Sequence, residues 1–170
     1  MNMSYFKSWK WCFLGLLIPF FFVGKYIVSL WFLNTQGPMQ CTAQSVMTFE
    51  EKVTDNLNVN IHFGFARNGR GTIVVEGYSH SQMGWKYMQR FVNFDYEVKS
   101  LSNVEWEYNV KNWSSHSSPL DATPDFLFEY FMNEMAGNYP DLRIQAKQLN
   151  SSTVLLSSMH SPLFICSLTQ

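Results

Sequence analysis

The sequence predicts an α+β chain that is mainly antiparallel β: one N-terminal transmembrane helix, then a curved sheet or open barrel with a single helix packed on it. Three observations predict this. An apolar run from Trp11 to Leu33 follows Lys7 and Lys10. Beyond Gly37, apolar residues recur at every second position in several separate stretches, the period of half-buried strands. Only once, after Thr123, does the spacing turn helical.

The apolar run has about the ~20 residues that a helix needs to cross a bilayer. Lys7, Lys10 and the terminal amine bias its leading flank toward the cytoplasm, and no acid precedes Glu50. The expected division is a cytoplasmic stub (1–10), a signal anchor (11–33), a linker (34–39) holding Gly37 and Pro38, and an outer domain (40–170) in a periplasmic or extracellular space. A cleaved signal peptide is the competing reading, because Lys7 and Lys10 before Cys12–Gly24 resemble an n-region and an h-region. Against it, no small-x-small pair follows until the second apolar burst has ended at Leu33. Trp9, Trp11 and Trp31 fall near the two ends, where indole rings prefer the interface. Lys25 interrupts the span: either its stem snorkels toward the outer face, or it meets a partner helix inside the membrane. Pro19 is a candidate kink.

In the outer domain, a first strand is expected over Gln40–Glu50. Leu57, Val59, Ile61, Phe63 and Phe65 then alternate with Asn58, Asn60, His62 and Gly64. Asn68-Gly69 and Arg70-Gly71 supply turn residues, and Thr72–Tyr78 returns as a strand. Trp85–Lys99 is a third long run, in which a phase change near Arg90 suggests a bulge. Val104, Trp106, Tyr108 and Val110 give the next strand. Asn112–Pro119 reads as a Ser-rich loop. Thr123 as N-cap, Pro124 at the first helical position and Asp125 in the first turn open a helix that carries Phe128, Phe131 and Met135 and stops at Gly137. Leu142, Ile144 and Ala146, then Thr153–Ser158, then Leu163–Leu168 complete six to eight strands.

Setting aside Lys7, Lys10 and Lys25 leaves 9 basic residues against 13 acids, about −4 for the outer domain. Direct nucleic-acid binding is not expected of such a domain, since phosphate contact wants a basic patch. His62, His80, His116 and His160 have no short spacing that places two on one metal, and no CxxC, GxSxG or HExxH occurs, so neither a metal site, a cofactor nor catalysis is expected. Ser114–Ser118 around His116 and the pair Glu105/Glu107 read more simply as solvated positions than as catalytic ones. Asn112-Trp113-Ser114 and Asn150-Ser151-Ser152 match the glycosylation pattern, which matters only in a eukaryotic host. Cys12 falls in the span. Cys41 and Cys166 lie near the two ends of the outer domain, where an oxidising compartment permits a disulfide; two free buried thiols are the alternative. A bridge requires Cα atoms within ~7 Å, which makes the first and last strands neighbours.

Gln40-Cys41-Thr42-Ala43, the stretch Asn68–Gly77, the run Arg90-Phe91-Val92-Asn93-Phe94-Asp95-Tyr96 and the ending Ser161–Cys166, behind a basic stub and one anchor, together resemble the FidL-like membrane proteins of enterobacteria over nearly the whole chain. The resemblance implies an accessory partner of a ToxR-like single-span regulator with a cytoplasmic winged-helix domain, acting through paired periplasmic domains to stabilise it and to help it sense a signal. It further implies a lipocalin-like barrel, formed jointly in some such pairs, that holds a bile-type hydrophobic ligand. No catalytic motif is implied. A stand-alone binder of small hydrophobic ligands, anchored to the membrane, is the alternative function.

Overall fold

The structure, a computed structural model, describes residues 23–25, 39–50, 54–81, 84–136, 142–158 and 161–169. The chain divides into two compact units, Met1–Gly37 and Pro38–Gln170. Of the first, only Val23–Lys25 is described, as exposed helix. The rest of the expected span 11–33 lies outside the described residues, among which no helix is long and apolar enough to cross a membrane.

The second unit is an eight-stranded antiparallel barrel in simple up-and-down order. The strands are β1 (Met39–Glu50), β2 (Thr54–Phe65), β3 (Arg70–Ser81), β4 (Gly84–Ser102), β5 (Glu105–Ser117), β6 (Arg143–Asn150), β7 (Thr153–Ser157) and β8 (Pro162–Leu168). A helix, α1 (Asp125–Ala136), stands between β5 and β6. The sheet closes on itself, whereas the sequence suggested an open barrel or curved sheet. Closure rests on a short seam in which Cys41 faces Leu168 and Thr42 faces Ser167.

Alternation fills the interior. Leu57, Val59, Ile61, Phe63 and Phe65 from β2, Ile73 and Val75 from β3, and Ile144 and Ala146 from β6 are all buried in one core, while their neighbours turn outward, as the two-residue period requires. Gly69, at φ 78°, makes the turn between β2 and β3. Asn68 Oδ1 accepts from the Arg70 N–H there. Gly71 is required for space and not for its backbone angles, because the Phe94 ring, its cross-strand partner, occupies the volume a Cβ would take. Phe65, Phe94, Tyr96 and Tyr108 form an aromatic cluster at this end, with Phe65 and Tyr108 centroids 4.1 Å apart. The Tyr96 hydroxyl donates to the Ala66 carbonyl at 2.6 Å. Burial, helped by the charge Tyr96 would carry, pushes the Tyr108 hydroxyl up to about 12.

Two local expectations are overturned. β4 keeps its phase through Arg90, with Met88, Arg90, Val92 and Phe94 all buried. The irregularity lies on β5 instead: Asn93 faces Ser114 and Asp95 faces Lys111, so Asn112 and Trp113 together oppose one residue, and Asn112 has φ 48°. Asn112–Ser117 is therefore strand and not loop. It looked like a loop because both of its faces are polar, and they are polar because this part of β5 projects past β6, whose pairing with β5 runs only from Glu105–Lys147 to Asn109–Arg143.

Candidate functional site

The wall of the barrel is unequal, with β6 to β8 five to eight residues long and β1 to β5 twelve or more. In the part the short strands do not reach, α1 takes their place. Leu127, Phe128, Phe131, Met132 and Met135 are its buried residues. Phe131 stacks at 6.5 Å on Phe164 of β8, and Tyr130 at 5.6 Å on Phe49 of β1.

What holds the helix is an ion cluster built on Arg90. Its side chain is 10 % exposed and donates from Nε to Asp121 Oδ2 at 2.6 Å and from Nη1 to Asp125 Oδ1 at 2.7 Å. Nη2 donates to the Thr123 carbonyl at 3.0 Å, and the guanidinium lies 5.4 Å from the Phe128 ring centre. Asp121, only 1 % exposed, also accepts from the Gln89 and Thr123 backbone N–H groups. Burial works against the Arg90 charge, but the two carboxylates outweigh it and raise its pKa above the ordinary arginine value. The expected N-cap Thr123 turns its hydroxyl to the Tyr87 carbonyl at 3.2 Å and to Ser79 Oγ. The loop before α1 is thus fastened to β3 and β4 on both sides of Asp121.

Between α1 and the projecting half of β5 lies a groove of about 570 Å³, with Trp113, Phe128, Met132 and Leu142 as its apolar lining and Asp125 and Glu129 at its helix side. The bulge at Asn112–Trp113 builds one wall: it shifts the alternation so that Trp113, Ser115 and Ser117 turn inward where Asn112, Ser114 and His116 would otherwise stand. This wall is also a strand edge. Among the described residues, the last bond from β5 toward β6 is Val110 N–H to the Leu142 carbonyl at 2.9 Å, and beyond it β5 pairs with β4 alone. Because Ser118 N–H donates to the Gln89 carbonyl, alternation turns the backbone groups of Ser115 and Ser117 away from β4, into the groove. A second groove of about 500 Å³ runs on the other flank of α1, against β1 and β8.

Cys41 and Cys166 are joined, with Cα atoms 5.5 Å apart, and both are buried. Lys25 belongs to the first unit. Glu105 and Glu107 lie on the outer face of β5, opposite Lys147 of β6 and Lys99 of β4 respectively. Among the described residues no group of three His, Cys, Asp or Glu side chains can hold a metal. Sequence reasoning took Arg90 for the mark of a bulge and did not single out Asp121. The available sign was an arginine in register with Met88, Val92 and Phe94, since a buried guanidinium demands a carboxylate.

The model of the family described as "FidL-like putative membrane protein" matches residues 77–166. That is more than half of the chain. The protein belongs to the FidL-like family. The match runs from the second half of β3 through α1 to Cys166, so Arg90, Asp121, the β5 edge and α1 all fall within the FidL-like region, while Cys41 and the Gln40–Ala43 stretch precede it. No curated protein matches the chain.

Proposed function

We propose that this FidL-like protein is a single-span accessory subunit of the bacterial inner membrane, anchored by residues 11–33 with its barrel in the periplasm. It docks on and steadies a membrane-bound regulator of the ToxR-like kind. Its part is non-catalytic and involves no direct contact with nucleic acid. The observation that carries this reading is the edge of β5 beside α1, which past Val110 pairs with no strand but β4 among the described residues. An unpaired edge invites another strand, and a groove between an edge and a helix suits an extended segment whose main chain adds to the sheet while alternate side chains enter pockets. Trp113, Phe128 and Met132 favour an apolar side chain there, and Asp125 with Glu129 favours a basic one beside it. Lys25 supplies a second contact, within the membrane.

A photo-crosslinking residue at Ser115 in whole membranes should capture a single-span protein with a winged-helix domain, and the same residue at Glu107 should not. Capture at both positions alike, or of nothing but a second copy of the chain, removes the reading. Lys25→Leu should leave insertion intact while weakening recovery of the partner.

The same groove favours one other reading, a hydrophobic ligand bound without a partner. Here the purified protein gains thermal stability from the ligand alone. A shift that appears only with the regulator present assigns sensing to the pair.

A further inference from the structure

The outer surface of the barrel is divided by charge. On β4 past Phe94, and on β5 and β6, the outward residues include Asp95, Glu97, Lys99, Glu105, Glu107 and Lys147, with Lys111 bound to Glu97 at 2.6 Å. The other face, made by β1, β2 and the adjoining halves of β3 and β4, differs. Four cross-strand rows run from Thr42–His62–Val74–Phe91 to Thr48–Asn56–His80–Trp85, and in them Glu76 is the one formally charged side chain. Its carboxylate is 3.3 Å from His62 Nε2.

What replaces charge is mostly amide and aromatic, with Val46, 69 % exposed, beside Asn58 and Val74 beside His62. β2 presents Asn56, Asn58 and Asn60 at successive outward positions, flanked across the strands by Gln44 and Gln89. Beside them stand Tyr78, facing Tyr87 with ring centres 5.5 Å apart, and Trp85, 4.7 Å from His80. Tyr78 is 55 % and Trp85 68 % exposed. The rings are held by cross-strand contact, and successive rows are about 7 Å apart along the strands. Carboxamides both donate and accept hydrogen bonds, and exposed ring faces offer flat apolar area next to them.

We propose that this face is a binding site for an uncharged glycan chain. Pyranose rings present axial C–H groups on one side and hydroxyls around the rim. The first suit stacking on Trp85 and Tyr78, and the second need partners that donate and accept, which the asparagine row supplies. The charge pattern decides among occupants. Anionic polymers and anionic lipid surfaces call for Lys or Arg, and these four rows contain neither. Aromatic residues are common to protein interfaces too, but those are also enriched in Arg and Met; these rows hold neither, and their centre is Asn58 and Asn60.

The test uses the full chain in a zwitterionic detergent without a sugar headgroup, titrated calorimetrically with the N-acetylglucosamine hexamer and, separately, with an oligogalacturonate of equal length. The neutral hexamer should bind and the anionic one should not. Trp85→Ala and Asn58→Ala should each weaken binding about tenfold with melting temperature unchanged, and Glu107→Gln on the charged face should have no effect. Absence of heat with the hexamer at millimolar concentration, equal binding of both oligomers, or full binding by Trp85→Ala overturns the proposal. So does loss of a co-purifying protein from Trp85→Ala in place of loss of glycan, which makes the face a protein interface. The β5 groove is untouched by these variants, so the result is independent of the partner reading.

Discussion

Removing the Cys41–Cys166 bridge tests how the barrel is closed. Where β1 lies along β2 for its whole length, it meets β8 at Cys41–Leu168 and Thr42–Ser167 alone, with one further bond from Thr169 N–H to the Gln40 carbonyl. The bridge spans a sequence separation of 125 residues, and for a loop of that length the chain-entropy expression gives about 5 kcal/mol at 25 °C. For a unit the size of Pro38–Gln170, that corresponds to roughly 15–20 °C in melting temperature. The assay is calorimetric melting of the 38–170 unit, oxidised against Cys41→Ala/Cys166→Ala, with hydrogen exchange read at the same time. The variant should melt lower by that amount, and amides of β1 and β8 near the seam should lose protection before those of β2 and β3. A drop of less than about 5 °C, or uniform loss of protection, refutes the argument that the bridge substitutes for a missing hydrogen-bond ladder.

Arg90→Met should cost about 3–5 kcal/mol, because it leaves the Asp121 carboxylate buried without its cation; urea unfolding measures it, and Asp121→Asn in the same background should recover part of the loss. Tyr108 makes the fold sensitive to alkali. Its folded-state value of about 12 lies above the unfolded value near 10, so its contribution is intact below pH 10 and falls as pH rises toward 12, by roughly 2–3 kcal/mol. Stability measured from pH 9 to 12 should show this slope, and Tyr108→Phe should flatten it. Gly77→Ala should destabilise more than Gly71→Ala, since the added methyl meets backbone atoms of Asn58 and Val59 in the first case and only side-chain atoms of Phe94 in the second; paired thermal melts decide the order.

The strands that could be read from sequence are those with one wet face. Leu57 to Phe65 alternates because water lies on one side and the core on the other, and the same holds for Leu142, Ile144 and Ala146. The helix was legible from Thr123-Pro124-Asp125 and the spacing of Phe128, Phe131 and Met135. Asn112–Ser117 was not, because a strand that leaves the barrel has no buried face to print a period on the sequence. Arg90 misled for the opposite reason. Its position is inward, but its charge breaks the apolar pattern, and the carboxylate that compensates it comes from Asp121, 31 residues away. The groove lies between two consecutive elements, β5 and α1, but its β5 wall is set by the bulge at Asn112–Trp113, which leaves no periodic trace. The cysteines were legible because only two remained outside the apolar run.

The bridge also governs how the barrel answers to mechanical load. The covalent link to everything before residue 38 enters at β1, and β1 is the strand least held on its β8 side. Tension applied there would peel β1 away like a zipper, one bond at a time. It can lift only Met39 and Gln40 before it reaches Cys41, where the load passes through sulfur to Cys166 and is shared by both ends of the sheet. A tug on the leading segment is therefore delivered to the barrel as a whole body, and α1 with its two grooves travels intact.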